Sequence, residues 1–209
     1  MKISVLFGTV LRTNNYLITS DDASILIEAS CSLDELKSEL NGKKLDAILL
    51  THAHWDHYSN LQKISDFHGC SVYLTREALE KIKSPARAFA TDRKPKIDCE
   101  KVDFKIIRDG DVLEFGKLEL KVVSTPGHTN CSVCYFLEKE NQNLLFSGDT
   151  VFEQDLGRTD LPTGNEKELL QSIEKILKLN DKTVIFPGHG PTTDLSLERE
   201  FLEEIIRKN

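Results

Sequence analysis

The sequence predicts an α+β fold in which two β-sheets pack face to face and helices cover the outside. Three observations lead there. Short apolar runs of strand length recur in both halves of the 209-residue chain. Helical periodicity interrupts these runs instead of gathering at one end. Turn signals at Asp21-Asp22, Asp109-Gly110 and Phe115-Gly116 mark hairpins in each half. The pattern is weakly two-fold, and the hairpins favour sheets rich in antiparallel pairs.

In the first half, strands are expected at Ile3–Val10, Tyr16–Thr19 and Ser24–Glu28. A helix at Leu33–Leu40 follows, then a buried strand from Leu45 to Thr51. A second helix should begin near His57 and run to His68. A strand at Ser71–Thr75 and a helix at Arg76–Lys83 close this half. The polar stretch Ser84–Asp98 breaks the pattern, either as a loop over a site or as a plain connection.

In the second half, strands are expected at Phe104–Ile107, Val112–Phe115, Leu118–Ser124, Cys131–Leu137 and Asn143–Ser147. Leu169, Leu170, Ile173, Ile176 and Leu177 fall at helical spacing, so a helix should run from Glu166 to Lys178, with Asn165 as its N-cap. A strand at Thr183–Phe186 and a helix at Leu195–Lys208 complete the chain. That last helix should pack through Leu197, Phe201, Leu202 and Ile205. The length fits one domain that buries a core without staples.

Composition narrows the function classes. Hydrophobic residues make up 39% and charged residues 29%, as in soluble globular proteins. A net charge of -7 disfavours a nucleic-acid or anionic-membrane binder. No segment reaches the roughly 20 apolar residues that span a bilayer. The start, MKISVLFGTVL, reads as a first strand and not as an export signal. Cys31, Cys70, Cys99, Cys131 and Cys134 form an odd, scattered set, which suits reduced thiols in the cytoplasm. Cys131 and Cys134 have CxxC spacing. In an extended strand they would point to opposite faces, so they are expected to be plain buried thiols.

The chemistry concentrates in HAHWDH, His52 to His57. The chain has only six histidines, and three stand here, directly after an apolar strand. His128 follows another strand in STPGHT, Asp149 follows one in FSGDT, and His189 follows one in FPGHGP. Four strand ends thus each deliver metal-binding side chains, and only His68 stands apart. His52 and His54, two residues apart, point the same way in extended chain. Asp56 and His57 fall where the chain turns and can face a second direction. One loop can therefore supply two metals. A cluster of this kind bound to nothing would repel itself when protonated and would cost desolvation.

These motifs resemble the metallo-β-lactamase fold superfamily. The resemblance rests on HAHWDH as an HxHxDH motif, on His128, Asp149 and His189 in that order, and on Asn15-Tyr16 before an early strand. It runs from Val5 to about Asp194. It implies an αββα four-layer sandwich of two mixed β-sheets with metals at one edge. By the resemblance, His52, His54 and His128 hold one metal, Asp56, His57 and His189 hold another, and Asp149 bridges them. Two divalent cations are implied, zinc first, with iron or manganese compatible with the same donors. Water between such cations ionises near neutral pH, its pKa falling from about 16 to about 7. The resulting hydroxide would attack, with Asp56 as the catalytic residue that fixes its direction and the metals stabilising the oxyanion.

The fold alone names no substrate. Gly157-Arg-Thr-Asp-Leu-Pro162 resembles the loop of glyoxalase II-like hydrolases. Its plainer reading is an Arg158–Asp160 ion pair that shapes the loop. GHGP around His189 is closer to the hydrolases than to the persulfide dioxygenases. Only 20 residues follow His189, too few for a helical glutathione-gripping region. The expectation is therefore a short hydrolase of a small acyl thiol, such as an S-lactoylglutathione-like thioester. It would be a monomer or small homo-oligomer, with no nucleic-acid or membrane partner. A mononuclear iron persulfide dioxygenase, a lactonase or β-lactamase, a nuclease and a structural metal centre are the alternatives. Substrate contacts are open; Tyr16, Tyr135 and Arg158 are candidates. The chain also departs from the family pattern. Tyr58-Ser59-Asn60 stand where glycines often follow HxHxDH, and Cys131 stands where a glycine often follows PGHTx. Trp55 either walls the pocket or packs beneath the loop.

Overall fold

A computed structural model describes residues 1–84, 95–139 and 142–208. Three strands open the chain: β1 (Lys2–Phe7), β2 (Asn14–Thr19) and β3 (Ser24–Ile27). Then come α1 (Leu33–Leu40), β4 (Ala47–Leu49), α2 (Leu61–His68), β5 (Ser71–Thr75), α3 (Arg76–Lys83) and β6 (Phe104–Ile107). The second half holds β7 (Val112–Phe115), β8 (Leu118–Ser124), β9 (Val133–Leu137) and β10 (Leu144–Gly148). A small hairpin follows, β11 (Val151–Phe152) with β12 (Asp155–Leu156), then α4 (Glu166–Ile176). The chain closes with β13 (Val184–Pro187), β14 (Thr193–Asp194) and α5 (Leu195–Lys208).

Two six-stranded sheets form, ordered β1-β2-β3-β4-β5-β6 and β14-β13-β10-β9-β8-β7. The alternation of side chains along each strand explains the layers. Tyr16, Ile18, Ile25, Ile27 and Leu49 face across to Leu120, Val122, Tyr135 and Phe146 of the other sheet. Their neighbours Leu17, Leu26 and Ile48 point outward, onto Leu36, Leu40, Leu61, Ile64 and Ile82 of the first three helices. Behind the second sheet, Cys134, Leu145 and Ile185 meet Leu169, Ile173 and Ile176 of α4 and Leu202 of α5. The stretches Tyr16–Ile18, Ile25–Ile27 and Ala47–Leu49 of β2 to β4 are unbroken apolar runs because both of their faces are covered.

The first sheet departs from the antiparallel expectation. β3, β4, β5 and β6 run parallel, since α1, α2 and α3 carry the chain back between successive strands. Only the β1-β2 and β2-β3 pairs are antiparallel there. The second sheet is antiparallel except for β10 with β13.

Several boundaries shift. The expected first strand ends at Phe7 because Leu11 and Arg12 turn through left-handed backbone. The helix expected from His57 splits into a 3-10 turn at Trp55–His57 and α2 from Leu61. β9 begins at Val133, so Cys131 precedes it; both thiols are buried, Cys131 in the cluster under the first three helices and Cys134 behind the second sheet. Leu197 is 67% exposed, whereas Leu202 and Phe201 pack as expected, joined by Leu195. The question posed by Ser84–Asp98 falls largely outside the described residues. No helix among those described is long and apolar enough to cross a membrane.

Candidate metal centre

After β4 the chain bends at Thr51, and His54 is still extended before the backbone tightens into the 3-10 turn. His52 and His54 therefore share a side, their rings 4.7 Å apart. The turn swings Asp56 and His57 toward a different point. His128 arrives after β8, Asp149 directly after β10 and His189 after β13.

The seven side chains meet in two adjoining sets. In one, His54 Nδ1 lies 3.1 Å from His52 Nε2 and 2.9 Å from His128 Nε2. Asp149 Oδ2 completes it, 3.9 Å from His52 Nε2 and 3.5 Å from His128 Nε2. In the other, Asp56 Oδ2 lies 3.6 Å from His57 Nε2 and 3.2 Å from His189 Nε2. Asp149 reaches this set too, with Oδ1 3.4 Å from His57 Nε2 and Oδ2 3.8 Å from His189 Nε2.

These separations fit a divalent cation in each set. Ligand bonds of about 2.1 Å in a tetrahedron leave ligand atoms about 3.4 Å apart. The chemistry of the donors agrees: imidazole nitrogens point at one another, although each neutral ring has a single N–H to share. His57 Nε2 and Asp149 Oδ1 are buried without a hydrogen-bond partner despite lying 3.4 Å apart. Such atoms are costly unless something sits between them.

The rear nitrogens are held by groups that the sequence reading missed. Thr51 Oγ1 donates to Glu28 Oε1 at 2.5 Å and lies 3.0 Å from His52 Nδ1. Glu28 Oε1 also sits 3.3 Å from His57 Nδ1, without good hydrogen-bond alignment. His128 Nδ1 donates to the Arg158 carbonyl at 2.8 Å. With Nδ1 turned toward these groups, each of the three rings presents Nε2 to the centre, the usual arrangement behind a metal-binding imidazole. Thr13 Oγ1 donates to Asp56 Oδ2 at 3.1 Å. The available signal for Glu28 was an acid closing an otherwise apolar strand.

Electrostatics follow from this crowding. Burial and the neighbouring His128 push His54 down to about 3. His52 and His128 are also lowered, chiefly by burial. Burial opposes the charge on Asp149, but His57, His128 and His189 hold it at about 2. Asp56 is lowered against its burial by His57 and His189. His57 is raised against its burial by Asp149, Glu28 and Asp56.

A pH dependence follows for the metal-free chain. Unfolded, His54 takes a proton near 6.5; folded, it resists until about 3. The unfolded state binds more protons in that window, so stability falls as pH drops through it. His52 and His128 act in the same direction. His57 opposes them, because its contribution is present in acid and lost as pH rises. Three groups against one predict a lower urea midpoint at about pH 5 than at about pH 7. An equal or higher midpoint at the lower pH would contradict this.

Gly188 lies against both sets. A Cβ there would stand 2.2 Å from Asp149 Oδ1 and 2.7 Å from His57 Cε1. Gly188→Ala should displace the shared carboxylate and weaken metal binding by about tenfold or more. Competition with a chromophoric chelator measures this, while unchanged far-UV circular dichroism shows the fold intact.

The substrate candidates fare differently. Tyr16 is buried and donates its hydroxyl to the Pro187 carbonyl at 2.6 Å; Tyr135 does the same to Leu50 at 2.8 Å. Both therefore serve the core, and neither is available as an oxyanion contact. Arg158 is exposed and pairs with Asp160 through two hydrogen bonds of 2.7 Å. Its carbonyl, not its guanidinium, touches the centre's residues. Trp55 packs partly buried against the first helical layer. In α5, Arg199 binds Asp181 and the Leu177 and Leu179 carbonyls. His189 remains partly exposed and gives the centre an opening.

Known proteins resemble the chain in sequence and in fold. The family model described as Metallo-beta-lactamase superfamily matches residues 8–189. Hydroxyacylglutathione hydrolase GloC of Haemophilus influenzae is 30% identical over 210 residues, covering 95% of both chains. The crystal structure of BLEG-1 B3 metallo-beta-lactamase superposes with a TM-score of 0.82 at 30% identity, covering 95% of this chain and 97% of that one. The crystal structure of TTHA1623 in a di-iron-bound form gives 0.78 at 28% identity, covering 95% and 98%.

Proposed function

Because the chain belongs to the metallo-beta-lactamase superfamily, we propose that it is a metal-dependent hydrolase that binds two divalent cations, zinc first, and cleaves a small acyl thioester. The observation that carries the two-metal reading is Asp149, whose one carboxylate faces both donor sets. His52, His54 and His128 would hold one cation, and Asp56, His57 and His189 the other, with Asp149 between. Bound there, the cations supply Lewis acidity and ionise water near neutral pH.

The chain's own residues supply orientation. Asp56 is held ionised by His57 and His189 and is fixed by Thr13. Its carboxylate accepts the remaining hydrogen of the attacking water and so aims the oxygen at the acyl carbon. Glu28, Thr51 and the Arg158 carbonyl keep the imidazoles from rotating. A thiolate leaving group, with a parent thiol pKa of about 8.5, needs no general acid. That suits a site whose two tyrosine hydroxyls are already engaged.

The thioester reading also draws on GloC, a hydroxyacylglutathione hydrolase that matches over nearly its full length. The B3 metallo-beta-lactamase supports a second reading, hydrolysis of a cyclic amide or lactone on the same centre. A panel of acyl thiols, including S-lactoylglutathione, with lactones and a β-lactam alongside, separates them. Turnover confined to thioesters is expected. Turnover of lactones or the lactam alone would favour the second reading, and oxygen uptake with glutathione persulfide would replace both.

A further inference from the structure

Lys81 sends its side chain inward from α3 and is 7% exposed. Its Nζ donates to Thr163 Oγ1 at 2.7 Å and lies 3.5 Å from Cys131 Sγ. Cys131 is 2% exposed, and its sulfur is 3.2 Å from Thr129 Oγ1. Lysine is among the residues least often buried, so an ammonium enclosed against a thiol calls for a reason. Tyr58 packs in the same buried cluster as Cys131, and its hydroxyl has no hydrogen-bond partner there. Cys131 also stands where the family pattern often has glycine.

We propose that peroxide joins Lys81 and Cys131 through a covalent sulfur–nitrogen bond, tying α3 to the turn that follows His128. The first step transfers one oxygen: the thiol and hydrogen peroxide give a sulfenic acid and water, the sulfur losing two electrons and the peroxide gaining them. In the second, Lys81 Nζ attacks that sulfur. The S–O bond breaks as the S–N bond forms, the hydroxyl leaves as water with one ammonium proton, and a second proton passes to solvent. Sulfenic acids condense with nitrogen as well as with thiols, and Lys81 Nζ already lies 3.5 Å from this sulfur. Cys134 is directed elsewhere, its sulfur 3.4 Å from Thr125 Oγ1 and 3.7 Å from the Ser147 carbonyl, behind the second sheet. Burial of both partners keeps bulky thiols out and admits only small neutral oxidants. The inference is independent of which substrate the centre cleaves.

The test is peptide mapping of the full chain after brief treatment with hydrogen peroxide. The expected product is the Lys81 peptide joined to the Cys131 peptide, lighter by two hydrogens than their sum, and separated again by a dithiol. Lys81→Arg, which keeps the cation, should abolish the link, as should Cys131→Ser. Three results would overturn the proposal: Cys131 carried to the sulfinic acid with Lys81 unmodified, Cys131 in a disulfide with Cys99 or Cys134, or Cys131 unreacted.

Discussion

Asp149→Ala should lower hydrolytic turnover by about a thousandfold, about 4 kcal/mol of transition-state stabilisation. The reason is its place between the two donor sets. Its Oδ1 lies 3.4 Å from His57 Nε2, and its Oδ2 lies within 3.9 Å of His52, His128 and His189. Removing it leaves five imidazoles facing one another with Asp56 as the one remaining carboxylate among the seven. Both cations would lose a ligand and the charge that offsets them. His54→Ala removes a donor from one set alone and should also abolish turnover, while leaving the second set's geometry in place. Steady-state kinetics with saturating zinc, beside near-UV circular dichroism, separate lost chemistry from lost fold. Wild-type turnover in either variant would refute the assignment.

Gly157→Ala should be the most damaging single methyl in the loop beside the centre. A Cβ at this position would stand 1.8 Å from the Asp149 carbonyl oxygen and 2.9 Å from His128 Cβ. The first is backbone at the end of β10 and cannot swing aside. Relief requires moving the loop, and with it the Arg158 carbonyl that holds His128 Nδ1. Overpacking of this kind costs about 3 kcal/mol or more. For a chain of this size that is a fall in melting temperature of about 6–12 °C. Turnover should fall too, since His128 loses its fixed orientation. Calorimetry and a thioester assay on one preparation check both effects; an unchanged melting temperature would contradict the close approach.

The donor residues were readable in the sequence because each is tied to a local pattern. A histidine or aspartate just beyond an apolar strand needs no knowledge of distant contacts. The holding groups were not readable for the opposite reason. Glu28 meets Thr51 and His57 only because β3 and β4 pair in parallel, and Thr13 meets Asp56 across 43 positions. The Arg158 carbonyl illustrates the same limit: a backbone atom carries no residue signature. In the fold, the start of α4 was marked by Asn165, whose side chain caps it, as Ser32 and Thr75 cap α1 and α3. The hairpin β11-β12 and strand β14 were missed because two-residue strands have no periodicity to detect. The parallel run β3 to β6 was implicit in strands alternating with helices, but hairpin signals elsewhere outweighed it.

The account rests on two donor sets sharing one carboxylate, and metal stoichiometry tests that most directly. Protein purified without added metal would be analysed by inductively coupled plasma mass spectrometry against a quantified chain concentration. Two divalent ions per chain, both lost after Asp149→Ala, is the result expected. One ion per chain, or two retained in full by the variant, would contradict it.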